Sequence, residues 1–233
     1  MRPAIRWPAS GQHFDMPFVN IHAHHRADDG SIQLINHPVQ KDFPERPEAI
    51  YSVGIHPWDL EKLDTGKMLQ KLSLLSENKN VLAIGECGLD RAIDTDFEFQ
   101  ERLFRRQIEL AEIKGKPLIL HVVKSYPDLI RIKKDSSAPT PWILHGYNGN
   151  QQTSQQLLPH DFYFSFGPQL LKGQPKLLDS IQQIPIEKLF FETDDSSEKI
   201  ETIYTFAAPI LGLTIEQLQE TVFNNYQRIF ENG

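Results

Sequence analysis

Six side chains of metal-binding types recur along this 233-residue chain, each at or just past the end of a short apolar segment. They are four histidines and two carboxylates: His22, His24, Glu86, His121, His145 and Asp194. Imidazole and carboxylate groups bind Zn, Mn, Fe or Ni, and Mg is also bound at carboxylate-bearing sites. His22 and His24 are two residues apart, so on an extended chain both imidazoles point to the same side. The set predicts a centre for divalent metal ions.

The number of candidate ligands favours two ions. A catalytic metal commonly takes three protein ligands plus water, and the candidates exceed that need. We expect Glu86 to bridge two cations about 3.5–4 Å apart, which would lower the pKa of a shared water. Asp194 would bind one ion and orient or deprotonate that water, so Glu86 and Asp194 are also candidate catalytic residues.

Each candidate ligand also has a structural interpretation. A single histidine at a strand end is usually a hydrogen-bonded structural residue, and a His-Ala-His triplet often arises by chance. Glu86 and Asp194 have the alternatives of a buried ion pair or a loop cap. A carboxylate after an apolar segment is costly to bury without compensation, and here such costly groups recur at five segment ends. This recurrence favours the metal centre.

Eight short apolar segments would position these residues. We predict strands over residues 18–22, 31–36, 49–55, 81–86, 117–121, 142–145, 162–166 and 188–193. Several, including VLAIG and PLIL, are almost wholly apolar, which is typical of strands buried on both faces of a parallel sheet. Helical patterns are predicted over residues 65–77, 96–114, 151–158, 174–184, 198–211 and 214–230.

The alternation of strands and helices predicts an α/β fold, specifically a TIM-type (β/α)8 barrel. The carboxyl ends of the strands meet on one face of such a barrel, which would bring the six candidate ligands together. Only residues 23–30 separate the first two strands, fewer than a parallel crossover usually needs. We therefore expect the first two units to be trimmed or irregular. Residues 1–16 are interpreted as an N-terminal extension and residues 17–233 as a single domain.

Composition and charge narrow the classes of protein. The net charge is −7, which disfavours a protein that coats nucleic acid but leaves a local phosphate-binding cleft open. The lone Cys87 cannot form an intramolecular disulfide, and no apolar run approaches the roughly 18 residues that span a bilayer. We expect a cytoplasmic protein without a membrane partner. Its oligomeric state stays open, with a monomer as one possibility.

Several segments, in this order, resemble the TatD family of metal-dependent hydrolases. They are FVNIHAHH, VGIHPW, VLAIGECGLD, QERLFRRQIELAEIKGKP with LILH, ILHGYNG, FYFSFG and KLFFETD. The resemblance implies a TIM barrel with two divalent ions, Mg, Mn or Zn, that hydrolyses phosphodiester bonds as a deoxyribonuclease working from the 3′ end. It independently implies the same six ligands, with His22, His24 and Asp194 on one metal, His121 and His145 on the other, and Glu86 as the bridge.

The resemblance also bears on two residues outside this set. His56 in GIHPW matches a family motif and is a candidate catalytic residue that would touch a phosphate or the scissile group. Its structural alternative is a turn histidine held by Pro57. Asp90, in GECGLD, would support a metal ligand or cap a loop.

Three positions depart from the family pattern. Asn20 stands where the family commonly has Asp, which implies the loss of a supporting carboxylate. Val123 stands where the family usually has Arg, so that only Lys124 offers a point charge to phosphate. Asp195 and the residues after it replace an aromatic of the family's ETDSPYL segment.

Two further hypotheses follow from these departures. The same barrel rim could serve a small-molecule amidohydrolase or phosphoesterase, because a metal can polarise a carbonyl as well as a phosphoryl group. The chain could also be a metal-binding protein with little catalysis. Turnover of DNA ends would indicate the nuclease, and turnover of only small esters or amides would indicate the small-molecule hydrolase.

Overall fold

A computed structural model describes residues 16–231 apart from residues 45, 47, 137 and 138. Within them, eight parallel strands form one sheet in sequence order, as a TIM-type barrel requires. The strands are β1 (Val19–Ala23), β2 (Ile32–Pro38), β3 (Ile50–Gly54), β4 (Val81–Asp90), β5 (Leu118–Val123), β6 (Trp142–Leu144), β7 (Phe162–Phe166) and β8 (Leu189–Phe191). The predicted fold class is confirmed. The predicted extension lies, except for Met16, outside the described residues, and the division into domains stays a prediction.

Helices cover the barrel from β3 onward. They are α1 (Thr65–Leu75), α2 (Phe97–Lys114), α3 (Tyr126–Asp135), α4 (Gln151–Leu157), α5 (Pro175–Gln183), α6 (Ile200–Ile210) and α7 (Ile215–Tyr226). The sequence prediction missed α3, a short helix in which Leu129 and Ile132 are buried. It also joined α7 to a π-helical turn, Gln227–Glu231, as one continuous helix. No helix in the described part of the chain is long and apolar enough to cross a membrane.

The first two barrel units are irregular, as the short spacing predicted. Neither the β1–β2 nor the β2–β3 connection contains a helix in its described residues. In place of a covering helix, His37, Phe43 and Tyr51 pack edge to face, with ring centroids 5.0 Å apart for Phe43 and Tyr51 and 5.3 Å for His37 and Phe43. These rings shield this side of the barrel with few residues.

The sheet closes through the segment that follows β8. His24 N donates to Asp194 O at 2.9 Å, and Asp194 N donates to His22 O at 3.0 Å. Asp194 has a φ of 55°, a left-handed conformation that turns the chain at this point. Closure of the barrel therefore places Asp194 beside the two histidines of the first strand.

Two buried glutamines of α2 bind the backbone where β3 and β4 end. Gln107 accepts from Ile55 N at 2.8 Å and donates to Ile55 O at 3.1 Å. Gln100 forms the equivalent pair with the N–H and carbonyl of Asp90, at 2.8 and 3.0 Å. A buried amide without hydrogen-bond partners lowers the stability of the fold, and these reciprocal bonds satisfy both side chains. They also fix the strand ends that carry His56 and Asp90.

Gly88 allows β4 to lie against β5 at His121. A Cβ at Gly88 would lie 2.1 Å from the carbonyl oxygen of His121, and its φ is 144°. We expect Gly88→Ala to destabilise the fold by about 3 kcal/mol, since it combines overpacking with backbone strain. For a chain of this size the melting temperature should fall by roughly 6–12 °C.

Gly66→Ala is the matched control for this prediction. A Cβ at Gly66, in the first turn of α1, would meet Asp64 at an ordinary 3.5 Å. Thermal unfolding followed by circular dichroism should show an unchanged or slightly raised melting temperature, since Ala favours helix. Equal melting temperatures for the two variants would contradict the close approach at Gly88.

Candidate metal centre

The carboxylate of Glu86 lies between two groups of histidines. Its Oε2 atom faces the first strand, 3.6 Å from His22 Nε2 and 3.7 Å from His24 Nε2. Asp194 completes this side, with Oδ1 at 3.5 Å from His22 Nε2 and 3.3 Å from His24 Nε2. Four of the predicted ligands thus surround one small volume.

The other carboxylate oxygen of Glu86 faces the opposite side of the centre. Oε1 lies 2.8 Å from His145 Nε2, 3.1 Å from His121 Nδ1 and 3.0 Å from His56 Nε2. The structure therefore brings together all six predicted ligands and His56, although they come from separate strand ends. One carboxylate that offers a different oxygen to each group has the arrangement of a bridging ligand.

The donor atoms suit divalent cations. His22 is fully buried, and neither of its ring nitrogens has a hydrogen-bond partner among the described residues. Buried polar atoms are almost always satisfied, and a cation bound at Nε2 would satisfy this one. Candidate ligand atoms of His22, His24 and Asp194 lie within 4.8 Å of one another, as do those of His22, Glu86 and His145. The side chains present fit metal binding on this observation.

Two further carboxylates orient the histidines of the second group. Asp90 Oδ2 lies 3.1 Å from His121 Nε2, which leaves Nδ1 of that ring facing Glu86. Glu192 Oε1 lies 3.2 Å from His145 Nδ1 and accepts from Gly146 N at 2.7 Å. A carboxylate on the far nitrogen fixes the orientation and tautomer of a metal-binding histidine and raises its basicity.

His56 differs from the other histidines in its tautomer. Its Nδ1 accepts a hydrogen bond from Trp58 N at 3.1 Å, so the proton of the neutral ring resides on Nε2. Burial lowers the pKa of His56, which favours that neutral form. Because Nε2–H is a donor, His56 is suited to bind an oxygen of Glu86 or of a ligand, and is not suited to bind a metal ion through that atom.

The carboxylates of the centre stay ionised. Burial opposes this for Glu86, but the neighbouring charge of His145 and hydrogen bonds from three histidines hold its pKa well below the ordinary value. Burial likewise opposes ionisation of Asp194, and His22 and His24 outweigh it, so the pKa of Asp194 is also lowered. Conversely, Glu86 and Glu192 raise the pKa of His145 well above its ordinary value despite burial. The electrostatic environment therefore favours positive charge at this point.

Sequence reasoning missed Asn36 and Glu192 and placed Glu86 incorrectly within its strand. Glu86 lies inside β4, which continues four residues further, to Asp90. Asn36 on β2 donates to Glu86 Oε2 at 3.1 Å and accepts from Glu86 N at 3.2 Å. A signal existed for both missed residues, since Asn36 closes a predicted strand and Glu192 directly precedes Thr193 and Asp194 in FFETD.

Asn20, which departs from the family pattern, supports the segment that carries Asp194, and Lys124 lies away from the centre. Asn20 Nδ2 donates to Thr193 Oγ1 at 2.8 Å and Asn20 Oδ1 accepts from Thr193 N at 3.1 Å, so this amide fixes the residue before Asp194. Lys124 is exposed and is not among the residues that line the cavity over the centre. Cys87, next to Glu86 in the chain, is fully buried.

A cavity of about 360 Å³ opens over the centre. Its size is at the lower end of ligand pockets in proteins. The lining includes Glu86, His121, His145 and Asp194 together with residues of neighbouring strand ends and loops: His24, Asn36, Pro38, Gly54, His56, Trp58, Asp59, Lys62 and Asp195. Ligands therefore reach the candidate metal centre from the carboxyl ends of the strands, where active sites of this architecture lie.

The barrel and its polar rim place the chain in the class of metal-dependent hydrolases, which comparison with known proteins bears out. The family described as TatD related DNase matches residues 40–231. The metal-dependent hydrolase YabD of Bacillus subtilis, whose function is uncharacterised, is 28% identical over 203 residues, which cover 80% of this chain and 79% of YabD. The similarly described YcfH of Escherichia coli is 25% identical over 202 residues, 80% of this chain and 75% of YcfH.

A solved structure shares the same fold. The TatD homologue YjjV of Escherichia coli superposes with a TM-score of 0.81 at 21% identity, over 94% of this chain and 99% of YjjV. This likeness concerns the fold alone. The chain belongs to the TatD related DNase family, a family of metal-dependent hydrolases.

Proposed function

We propose that this chain is a two-metal phosphodiesterase that removes nucleotides from DNA 3′ ends. His22, His24 and Asp194 would hold one ion, His121 and His145 the other. Glu86 would bridge them. The division of the Glu86 carboxylate between two histidine groups, one at each oxygen, is the observation that carries the proposal.

Bound ions would lower the pKa of a water and neutralise negative charge that develops on a phosphate. Asp194, whose side chain is partly exposed to the cavity, would orient that water and accept its proton. The water oxygen would bond to phosphorus as the P–O ester bond breaks, and the ester oxygen would leave with the bonding electron pair, its charge balanced by the bound ions. His56 Nε2–H would donate a hydrogen bond to a phosphate oxygen. Asp90 and Glu192 would keep the rings of His121 and His145 in place during the reaction.

The side chains that line the cavity are mainly acidic, so a phosphate ligand would be attracted only when metal ions are bound. Lys62 is the only lysine or arginine among the described residues of the lining, against the four carboxylates of Asp59, Glu86, Asp194 and Asp195. Two divalent ions would add four positive charges and reverse the sign of this surface. Anion binding should therefore depend on metal, and the ions would take the role of the phosphate-binding arginine that Val123 replaces.

Metal-stripped protein with 5′-labelled single-stranded DNA tests the proposal. Added Mg, Mn or Zn should produce products that shorten progressively from the 3′ end. The family's description as TatD related DNase favours DNA as the substrate, and the small cavity favours an attack on chain ends. Absence of cleavage with every metal, in protein shown to bind metal, would refute the nuclease assignment.

A small phosphoester or amide is the second candidate substrate, favoured by the acidic lining of the cavity. A single lysine offers little attraction to the many phosphates of a long DNA strand. Bis(4-nitrophenyl) phosphate and simple aryl amides serve as probes. Turnover of these without cleavage of DNA would assign the centre to small molecules.

Glu192→Gln is expected to weaken metal binding without removing a proposed ligand. The change keeps the shape of the side chain and removes the charge that faces His145 Nδ1, so affinity for one ion should fall by about 10- to 100-fold. Isothermal titration of metal-stripped protein measures this. Glu187→Gln, an exposed carboxylate in the short helical turn before β8, is the control and should bind metal as the wild type does. Equal affinities in the two variants would show that Glu192 does not support a metal ligand.

A further inference from the structure

Trp58 is an exposed aromatic residue at the edge of the metal centre. It lies in the short helical turn Pro57–Lys62 that follows β3, and 55% of its surface is exposed. Among the described residues, the other large exposed apolar side chains are Leu74, Ile113 and Ile186, and none of these lines the cavity. A single exposed apolar side chain is common on protein surfaces, but this indole lines the cavity over the candidate metal ligands, where a ligand can contact it.

The indole is held rigidly. Its Nε1 donates to Asp90 Oδ2 at 2.7 Å, the same oxygen that binds His121. The ring meets His56 and His121 nearly at right angles, with centroids 5.0 and 5.7 Å away. In the described part of the chain no aromatic ring lies parallel to the indole. A stacking surface is therefore fixed in place next to the centre before any ligand arrives.

The fixed indole favours a planar ligand group. An aromatic surface gains from contact with another flat ring, and prior immobilisation reduces the entropy lost on binding. A ligand that uses both features combines a group that binds the metal centre with a flat, uncharged group that reaches Trp58. A nucleobase attached through a sugar to a phosphate has this composition, and stacking is tolerant of base identity.

We propose that Trp58 is a stacking platform for the base of the terminal nucleotide, so that the enzyme selects substrates that carry an aromatic base next to the cleaved phosphate. This inference rests on the proposed function and specifies its substrate class. Lys62, which also lines the cavity, offers one charge and no planar surface. Selectivity for the terminal nucleotide would then come from its base. A long basic groove, in contrast, would select for a polymer.

The test compares ligands with and without a base. Binding of 2′-deoxyadenosine 5′-monophosphate and of 2-deoxyribose 5-phosphate to metal-loaded protein is measured by calorimetry for the wild type, Trp58→Leu and Trp58→Phe. We expect Trp58→Leu to weaken the nucleotide by about 5- to 150-fold and to leave the sugar phosphate unchanged. Trp58→Phe should keep most of the preference for the nucleotide, because it retains a ring.

The two ligands separate stacking from an effect through Asp90. Both variants lose the Nε1 hydrogen bond to Asp90, and a disturbed His121 would weaken both ligands alike. An equal loss for nucleotide and sugar phosphate, or no loss for either, would overturn the stacking platform. Trp58-dependent nucleotide binding in a protein that cleaves no nucleotide ester would uphold the platform and refute the nuclease. DNA cleavage by a wild-type protein that binds the nucleotide and the sugar phosphate equally well would do the reverse.

Discussion

Glu86→Gln is expected to lower kcat/KM by at least about 1,000-fold, equal to about 4 kcal/mol of transition-state stabilisation. The amide keeps the shape of the side chain but cannot offer an anionic oxygen to each of two ions. Removal of this charge also leaves His121 and His145 without the carboxylate that lies 3.1 and 2.8 Å from their nitrogens. Metal-dependent cleavage of labelled DNA, followed by initial rates, measures the change.

The control for this variant is Glu220→Gln, an exposed glutamate of α7. It should match the wild type in rate and in metal content. Circular dichroism should show that both variants keep the barrel. A Glu86→Gln protein that is folded, binds the wild-type amount of metal and retains its rate would rule out the bridging role.

Asp194→Asn is expected to affect the two ions unequally. Asp194 contacts His22 and His24 and is not within ion-pair distance of His121, so the ion on the first-strand side should be lost selectively. Calorimetric titration should retain one of two binding steps. Activity should fall by about 100-fold or more, because the residue would also lose its role toward the attacking water.

Asp195→Asn provides a matched control, since it alters the neighbouring carboxylate of the same cavity. Both binding steps should remain, and activity should change only a few-fold. Loss of both steps in Asp194→Asn, or an identical response of the two variants, would contradict a separate role for Asp194.

Much of the barrel could be predicted because its strands are buried on both faces. Segments such as that of β7 are almost wholly apolar, and the prediction matched its bounds, Phe162–Phe166. Connections were harder to predict where tertiary packing replaces local pattern. The helix α3 has only ten residues and was missed, and the aromatic packing of Phe43 on Tyr51 has no sequence periodicity.

The proximity of the six candidate ligands could be predicted for a topological reason, since parallel strands of a barrel end on one face. Their binding of metal stays a prediction. The contact partners of supporting residues were not predictable in the same way, even where a residue's position at a strand end was. Asn36 reaches Glu86, 50 residues away, and Glu192 reaches His145, 47 residues away, through contacts that exist only in the folded barrel. The tautomer of His56 likewise depends on a backbone turn at Trp58.

The most direct test of the two-metal centre is anomalous X-ray diffraction from crystals of the wild-type protein soaked in Mn²⁺. Two separate peaks are expected, one between Glu86 and the pair His22 and His24, and one between Glu86 and the pair His121 and His145. A single peak, or density that avoids Glu86, would contradict the bridging carboxylate and the mechanism built on it.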